Sequence, residues 1–239
     1  MLSFEIPKLE ILIWFSIVAR RTNVIGNERI TSYIYSLEKE LPSFLREIEI
    51  QAISEYVPII KKPTQSLLRF LMKNSKPMNI LEVGTAVGFS SLLMSEYMPE
   101  GCHITTIERN DKRIAKAKAN IHAAGREKQI TLLEGDAQDV LKQLVKEEKQ
   151  YDFIFMDAAK GQYIHFLTDI FVLLQKDGLL VSDNVLQDGD VAESRYGVTR
   201  RNRTIHSRMR EYLYTLTHHE DFETIVLPIG DGVTLSTKL

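Results

Sequence analysis

The sequence predicts an α/β fold: a mostly parallel sheet with helices over both faces, finished by an antiparallel hairpin. Two observations carry this. Between residues 79 and 183, five short apolar runs alternate with helical stretches, as strands joined by crossover helices and covered on both faces do. The tail breaks that rhythm, because "FETIVLPIGDGVTLST" is two strand-like runs around a Gly-Asp-Gly turn and must add antiparallel strands at an edge.

Composition sets the outer limits. At 239 residues with 44% hydrophobic side chains, one domain with a sizeable core is expected. The formal net charge of -2 removes the signature of a globally basic nucleic-acid-binding domain, though not a local basic patch. A single cysteine, Cys102, excludes an intramolecular disulfide, and no Cys or His cluster has zinc-site spacing. A cytoplasmic protein fits best.

In chain order, residues 1–26 read as an N-terminal extension, either a packing arm or the product of a start assigned too far upstream. Its apolar stretch "LEILIWFSIVARR" has nine uncharged residues from Ile11 to Ala19, too few to span a bilayer. No basic region precedes it and Arg20 and Arg21 follow, which disfavours a cleavable signal. Residues 27–239 then form a single domain. From Glu28, Ile30, Tyr33, Ile34, Leu37 and Leu41 recur at helical spacing, and Pro42, Pro58 and Pro63 punctuate two further helices. The five strands are "NILEV", "HITTI", "QITLLE", "YDFIFMD" and "GLLVSD"; between the second and third, a helix starts near Asp111 and stops at Gly125.

In such a sheet ligands bind beyond the carboxyl ends of the strands. Glu82, Gly84, Glu108, Asp136, Asp157 and Asp183 all fall at or just after those ends. The first loop, "EVGTAVGFSS", is not a dinucleotide fingerprint, since Ala86 and Phe89 stand where its second and third glycines belong. Glu82 would also repel a phosphate. Gly84 and Gly88 let the backbone approach a ligand that carries positive or hydrogen-bond-donating groups. S-adenosylmethionine meets that description, with Glu108 accepting the ribose hydroxyls and Asp136 and the Ala137 backbone reading the adenine. Helix capping is the competing role for Asp136.

These residues resemble the metal-dependent O-methyltransferases of the catechol and caffeoyl-CoA type. "LEVGTAVGFSS", "TTIERN", "GDAQD", "MDAAKGQY" and "SDNVL" follow that family's motifs in order, across roughly residues 27–239. The resemblance implies a Rossmann-like methyltransferase fold with a seven-stranded sheet and accessory N-terminal helices. It implies cofactor contacts from Val57, Glu82, Gly84, Thr85, Ser90, Glu108, Asp136, Ala137 and Asp157, and commonly a homodimer. Asp157, Asp183 and Asn184 are by resemblance the ligands of Mg²⁺ or another divalent cation, which suits three hard oxygen donors. Lys160, three residues after Asp157 and expected on the following helix, is the candidate base. Asp231, in the hairpin turn, is left out of the site.

For the acceptor, "RYGVTRRNRTIHSRMR" follows the last strand end, with six arginines and no acid from Arg195 to Arg210. A helix starting near Thr199 would bury Ile205, Met209, Tyr212, Leu213 and Leu216. Arg195, Arg200, Arg201 and Arg203 then make a patch suited to a polyanion. "MDAAKGQY", "DNVL" before a basic helix and "LPIGDGVTLS" resemble the bacterial branch that methylates 5-hydroxyuridine at the tRNA wobble position. That base presents vicinal oxygens and is unpaired in the anticodon loop. A small catechol-like acceptor is the main alternative, and a non-catalytic S-adenosylmethionine-binding protein a third.

Overall fold

The computed structural model describes residues 28–239, so the extension expected over residues 1–26 lies outside the described residues. The chain divides into two units, Met1–Glu40 and Leu41–Leu239. In the first, α1 (Glu28–Ser36) is described; it ends before Leu37 and Leu41, and Tyr33, Ile34 and Leu37 of the expected stripe are exposed.

The second unit opens with α2 (Ser43–Ser54), which follows Pro42, and α3 (Lys62–Ser75), which carries Pro63 in its first turn, where its missing N–H costs nothing. Seven strands follow: β1 (Asn79–Val83), β2 (His103–Glu108), β3 (Ile130–Glu134), β4 (Tyr151–Met156), β5 (Leu174–Ser182), β6 (Phe222–Leu227) and β7 (Val233–Lys238). Between them run α4 (Phe89–Tyr97), α5 (Asp111–Ala123), α6 (Ala137–Lys146), α7 (Tyr163–Leu173) and α8 (Arg203–Thr217). The sheet order is β3-β2-β1-β4-β5-β7-β6. The first five strands are parallel and the β6–β7 hairpin is antiparallel, β7 lying against β5.

Alternate strand residues feed two cores. Ile80, Phe153, Phe155 and Val181 pack with α2, α3 and α4 on one face, while Leu81, Ile154, Met156 and Leu180 pack with α6, α7 and α8 on the other. Covering on both faces explains why these strands are apolar throughout.

Besides the end of α1, two boundaries differ from the sequence reading by several residues. Strand β5 starts at Leu174 rather than Gly178, with a register shift opposite Tyr151/Phe153 that the turn-like "QKDG" disguises. Helix α8 starts at Arg203 rather than near Thr199, because residues 199–202 form a turn closed by Asn202 N donating to Thr199 O at 2.9 Å. Its fully buried side chains are His206, Met209, Tyr212 and Leu216.

The strand order runs outward from β1 to β3, then returns to place β4 on the other side of β1. A crevice forms at such a reversal.

Candidate functional site

A cavity of about 720 Å³ opens at this reversal and is built from loops that follow the strands. Gly84 and Ala86 follow β1, Glu108 and Arg109 close β2, Gly135 and Asp136 follow β3, Asp157 to Lys160 follow β4, and Asn184 follows β5. Pro58 to Lys61, ahead of α3, complete one wall.

The tightest point is Gly84, with φ +109; a Cβ there would stand 2.1 Å from the Asp157 carbonyl oxygen. Only glycine permits both that conformation and that approach. The loop is tied to β2, and the end of β4 to β1, at the same place, since Gly84 N donates to Ile107 O at 3.1 Å and Asp157 N to Val83 O at 3.0 Å.

Glu108 is held rigidly: Ala86 N donates to Oε2 at 2.9 Å, while Arg109 N and Asn110 N donate to Oε1 at 2.9 and 3.0 Å. With Oε1 taken twice, Oε2 keeps the room for a ligand hydroxyl. Asp136 lines the cavity and also caps α6, with Oδ1 accepting from Gln138 N at 3.0 Å and Oδ2 from Arg109 at 2.8 Å. The backbone N–H of Gln138, then Arg109, hold its carboxyl below the usual range. Its capping and lining positions coincide, and Ala137 lines the wall beside it. Helix α5 starts at Asp111 and is capped by Asn110, whose side chain accepts from Arg113 N at 3.1 Å.

Glu82 does not reach the cavity. It is fully buried beneath the floor, where Ser90, Ser91 and Thr106 all donate to its carboxylate. Burial raises its pKa to about 7 despite those three bonds. Thr85 and Ser90 line a small recess that shares Gly84, Ala86 and Asp157 with the main cavity. Val57 stands outside both linings and is only partly buried in the core; its neighbour Pro58 is the lining residue.

Asp157, Asp183 and Asn184 are brought together at the ends of β4 and β5. Asn184, in the left-handed region at φ +61, donates its Nδ2 to Asp157 Oδ1 at 3.0 Å and its backbone N to Asp183 Oδ1 at 2.9 Å. Thr64 Oγ1, in the first turn of α3, donates to the same Asp183 oxygen at 3.3 Å. Among the described residues, no hydrogen bond involves Asp157 Oδ2, Asp183 Oδ2 or Asn184 Oδ1. Burial, and for Asp183 next the Asp157 charge, raise the two carboxyls to about 6 and about 7. Two acids and an amide make up this set; the described residues contain no group of three or more His, Cys, Asp and Glu side chains placed to hold a metal. Tyr163 OH lies 3.1 Å from Met156 O and 3.0 Å from Asp183 O, bracing both strand ends.

Lys160 lines the same cavity and electrostatically favours ionised Asp157. It sits on a short 3-10 turn, Lys160–Gln162, ahead of α7 rather than on that helix.

Among the charged residues that line the cavity, Lys61, Arg109 and Arg113 are absent from the sequence reading, and Asp231 is left out of the site there. Asp231 forms an ion pair with Lys61 and electrostatically raises the pKa of both Asp157 and Asp183. It arrives there because the hairpin turn is stitched to the segment after Asn184, with Leu186 N donating to Asp231 O at 2.9 Å and Val185 N to Gly232 O at 3.0 Å. A Cβ on Gly232 would meet Leu186 at 2.3 Å. The glycines flanking Asp231 were the available signal, but they read equally well as a plain turn.

The arginine-rich rim is narrower than its sequence suggests. Arg208 donates to Gly161 O at 3.1 Å, Arg210 to Val191 O at 3.0 Å, and Arg203 Nε to Val198 O at 3.4 Å. These three fasten backbone. Arg195, Arg200 and Arg201 remain exposed.

Known proteins are similar to this chain in sequence and in fold. Residues 33–239 match the model of a family described as O-methyltransferase. An Arabidopsis thaliana protein provisionally described as a caffeoyl-CoA O-methyltransferase is 31% identical over 225 residues, 90% of this chain and 96% of its own. A crystal structure of a Staphylococcus aureus protein, provisionally described in the same way, has a TM-score of 0.80 at 33% identity, covering 87% of this chain and 98% of its own. The Bacillus cereus O-methyltransferase in complex with SAH shares the fold, with a TM-score of 0.77 at 22% identity over 87% of this chain and 96% of its own.

Proposed function

The chain belongs to the O-methyltransferase family, and we propose that it uses S-adenosylmethionine and Mg²⁺ or another divalent cation to methylate the 5-hydroxyl of 5-hydroxyuridine at the wobble position of tRNA. The observation that carries the cation is the Asp157–Asp183 pair, each carboxyl raised by burial, with Asn184 beside it and, among the described residues, no donor to one oxygen on each of the three. Two hard anionic oxygens and an amide oxygen suit such an ion. When bound, it supplies Lewis acidity that lowers the pKa of an acceptor hydroxyl beside it.

The chain's own residues do the remainder. Lys160 faces the same cavity and takes the hydroxyl proton at Nζ. Asp157, against Gly84, favours a cationic sulfonium over a phosphate. Glu108 Oε2 receives a ribose hydroxyl, and Asp136 with the first turn of α6 faces the adenine. The acceptor oxygen forms its bond to the methyl carbon as the carbon–sulfur bond breaks, so S-adenosylhomocysteine leaves neutral at sulfur. Holding the two reactants in line supplies most of the acceleration.

The exposed Arg195, Arg200 and Arg201 favour a polyanionic acceptor, because cations at the rim position a nucleic acid through its phosphates. A small acceptor with vicinal oxygens is the second reading, favoured by the caffeoyl-CoA relatives. Exposed Ile50, Ile53 and Phe70 on α2 and α3 support a homodimer. The test is mass spectrometry of bulk tRNA nucleosides from cells lacking the gene: 5-methoxyuridine disappears and 5-hydroxyuridine accumulates. An unchanged nucleoside profile transfers the proposal to the small acceptor.

A further inference from the structure

The rim after Asn184 presents an aromatic ring outside the cavity. Gly197 N donates to Ser194 O at 2.8 Å and Tyr196 N to Ser194 Oγ at 3.3 Å, closing a tight turn. Arg195 and Tyr196 therefore occupy its two corner positions. Tyr196 is 86% exposed, yet its surroundings are fixed. The Arg203 guanidinium lies over the ring, 6.0 Å from its centroid, and Arg203 is itself held by the Val198 carbonyl. His206 Nε2 donates to Glu193 O at 3.1 Å, Arg210 anchors Val191, and Arg208 ties the same helix to Gly161, next to Lys160. A ring with a guanidinium on one side and solvent on the other costs little to bring into a stack, and every base offers a π-face.

We infer that Tyr196 is a stacking platform for an unpaired base flanking the one that enters the cavity, with Arg203 backing the ring and Arg195, Arg200 and Arg201 contacting phosphates. This rests on the RNA reading above, and it assigns Arg203 a different task from its exposed neighbours. Duplex RNA has no free base to offer, so the platform selects single-stranded loops.

Binding of the full-length protein to a labelled anticodon stem-loop RNA, and to the same stem closed as a blunt duplex, is the test. Tyr196→Ala weakens stem-loop binding roughly tenfold or more, leaves duplex binding unchanged, and keeps the slope of log affinity against log salt. Tyr196→Phe binds like the native protein. Arg195→Ala and Arg200→Ala each reduce the salt slope by about one and weaken both RNAs. Native-like stem-loop binding by Tyr196→Ala, or equal loss on both RNAs, overturns the stacking role alone. If the unaltered protein binds neither RNA at low salt, the tRNA reading falls and the platform with it.

Discussion

Replacing Gly84 by alanine tests whether β1 and β4 meet at this cavity as tightly as the geometry requires. The new Cβ would stand 2.1 Å from Asp157 O, 2.8 Å from its carbonyl carbon and 3.3 Å from Ala158 N. All three are backbone atoms, and Asp157 is tied to β1 through the Val83 carbonyl, so no flexible side chain can give way. Overpacking of this kind costs about 1–3 kcal/mol, and a strained positive-φ conformation about 1–3 kcal/mol more. The sum, roughly 2–6 kcal/mol, lowers the melting temperature by about 5–20 °C for a domain of this size. Gly125 is the control: its φ is +64 but a Cβ there meets nothing within 4 Å, leaving only a conformational penalty of about 1–2 kcal/mol. Thermal unfolding by circular dichroism, with calorimetric titration of S-adenosylmethionine, reads both effects. Gly84→Ala should unfold well below Gly125→Ala and lose cofactor affinity. Equal melting temperatures with unchanged affinity would refute the reasoning.

Other expectations concern charge. Glu82 is raised from 4.5 to about 7, so the folded state holds its proton more tightly than the unfolded chain does. Its stabilising contribution is full below pH 4.5 and is lost as pH rises through 7, a change of about 3 kcal/mol. Glu82→Gln should flatten the stability profile measured by urea unfolding across that window; an unaltered profile speaks against a buried carboxyl there. Millimolar Mg²⁺ or Mn²⁺ should raise the melting temperature, by about 3 kcal/mol of stabilisation at a hundredfold excess over Kd. The effect should be larger at pH 8 than at pH 6, because Asp157 and Asp183 ionise between, and absent in Asp183→Asn. Lys160→Ala should lower kcat by roughly 10²–10⁴-fold while cofactor affinity, read by calorimetry, stays within about twofold; a parallel loss of both would make Lys160 a binding residue instead.

What the sequence discloses depends on whether a role is local. The strands and the hairpin were legible because covering on both faces writes itself as continuous apolar runs, and because a change of rhythm marks the tail. The placement of Glu108, Asp157, Asp183 and Asn184 was legible because each ends a strand or lies within two residues of its end. Glu82 lies one residue before the end of β1, yet it faces a hydroxyl cluster assembled from Ser90, Ser91 and Thr106 on other segments, and a strand buried on both faces carries no periodicity to show which way one side chain points. Asp231 enters the cavity only because the hairpin turn packs on Leu186, a tertiary contact with no local trace. Arginines look alike in sequence, so the division between those that fasten carbonyls and those that stay exposed required the fold.

The central claim is that a divalent cation at Asp157, Asp183 and Asn184 prepares one of two vicinal oxygens for methylation. Its most direct measurement is transfer of labelled methyl groups from S-adenosylmethionine to tRNA taken from cells lacking the gene, with the purified protein stripped by chelator and then resupplied with Mg²⁺. The account predicts label in 5-methoxyuridine only after resupply, and none with Asp157→Asn or Asp183→Asn. Full transfer by the stripped protein, or by those variants, would contradict it.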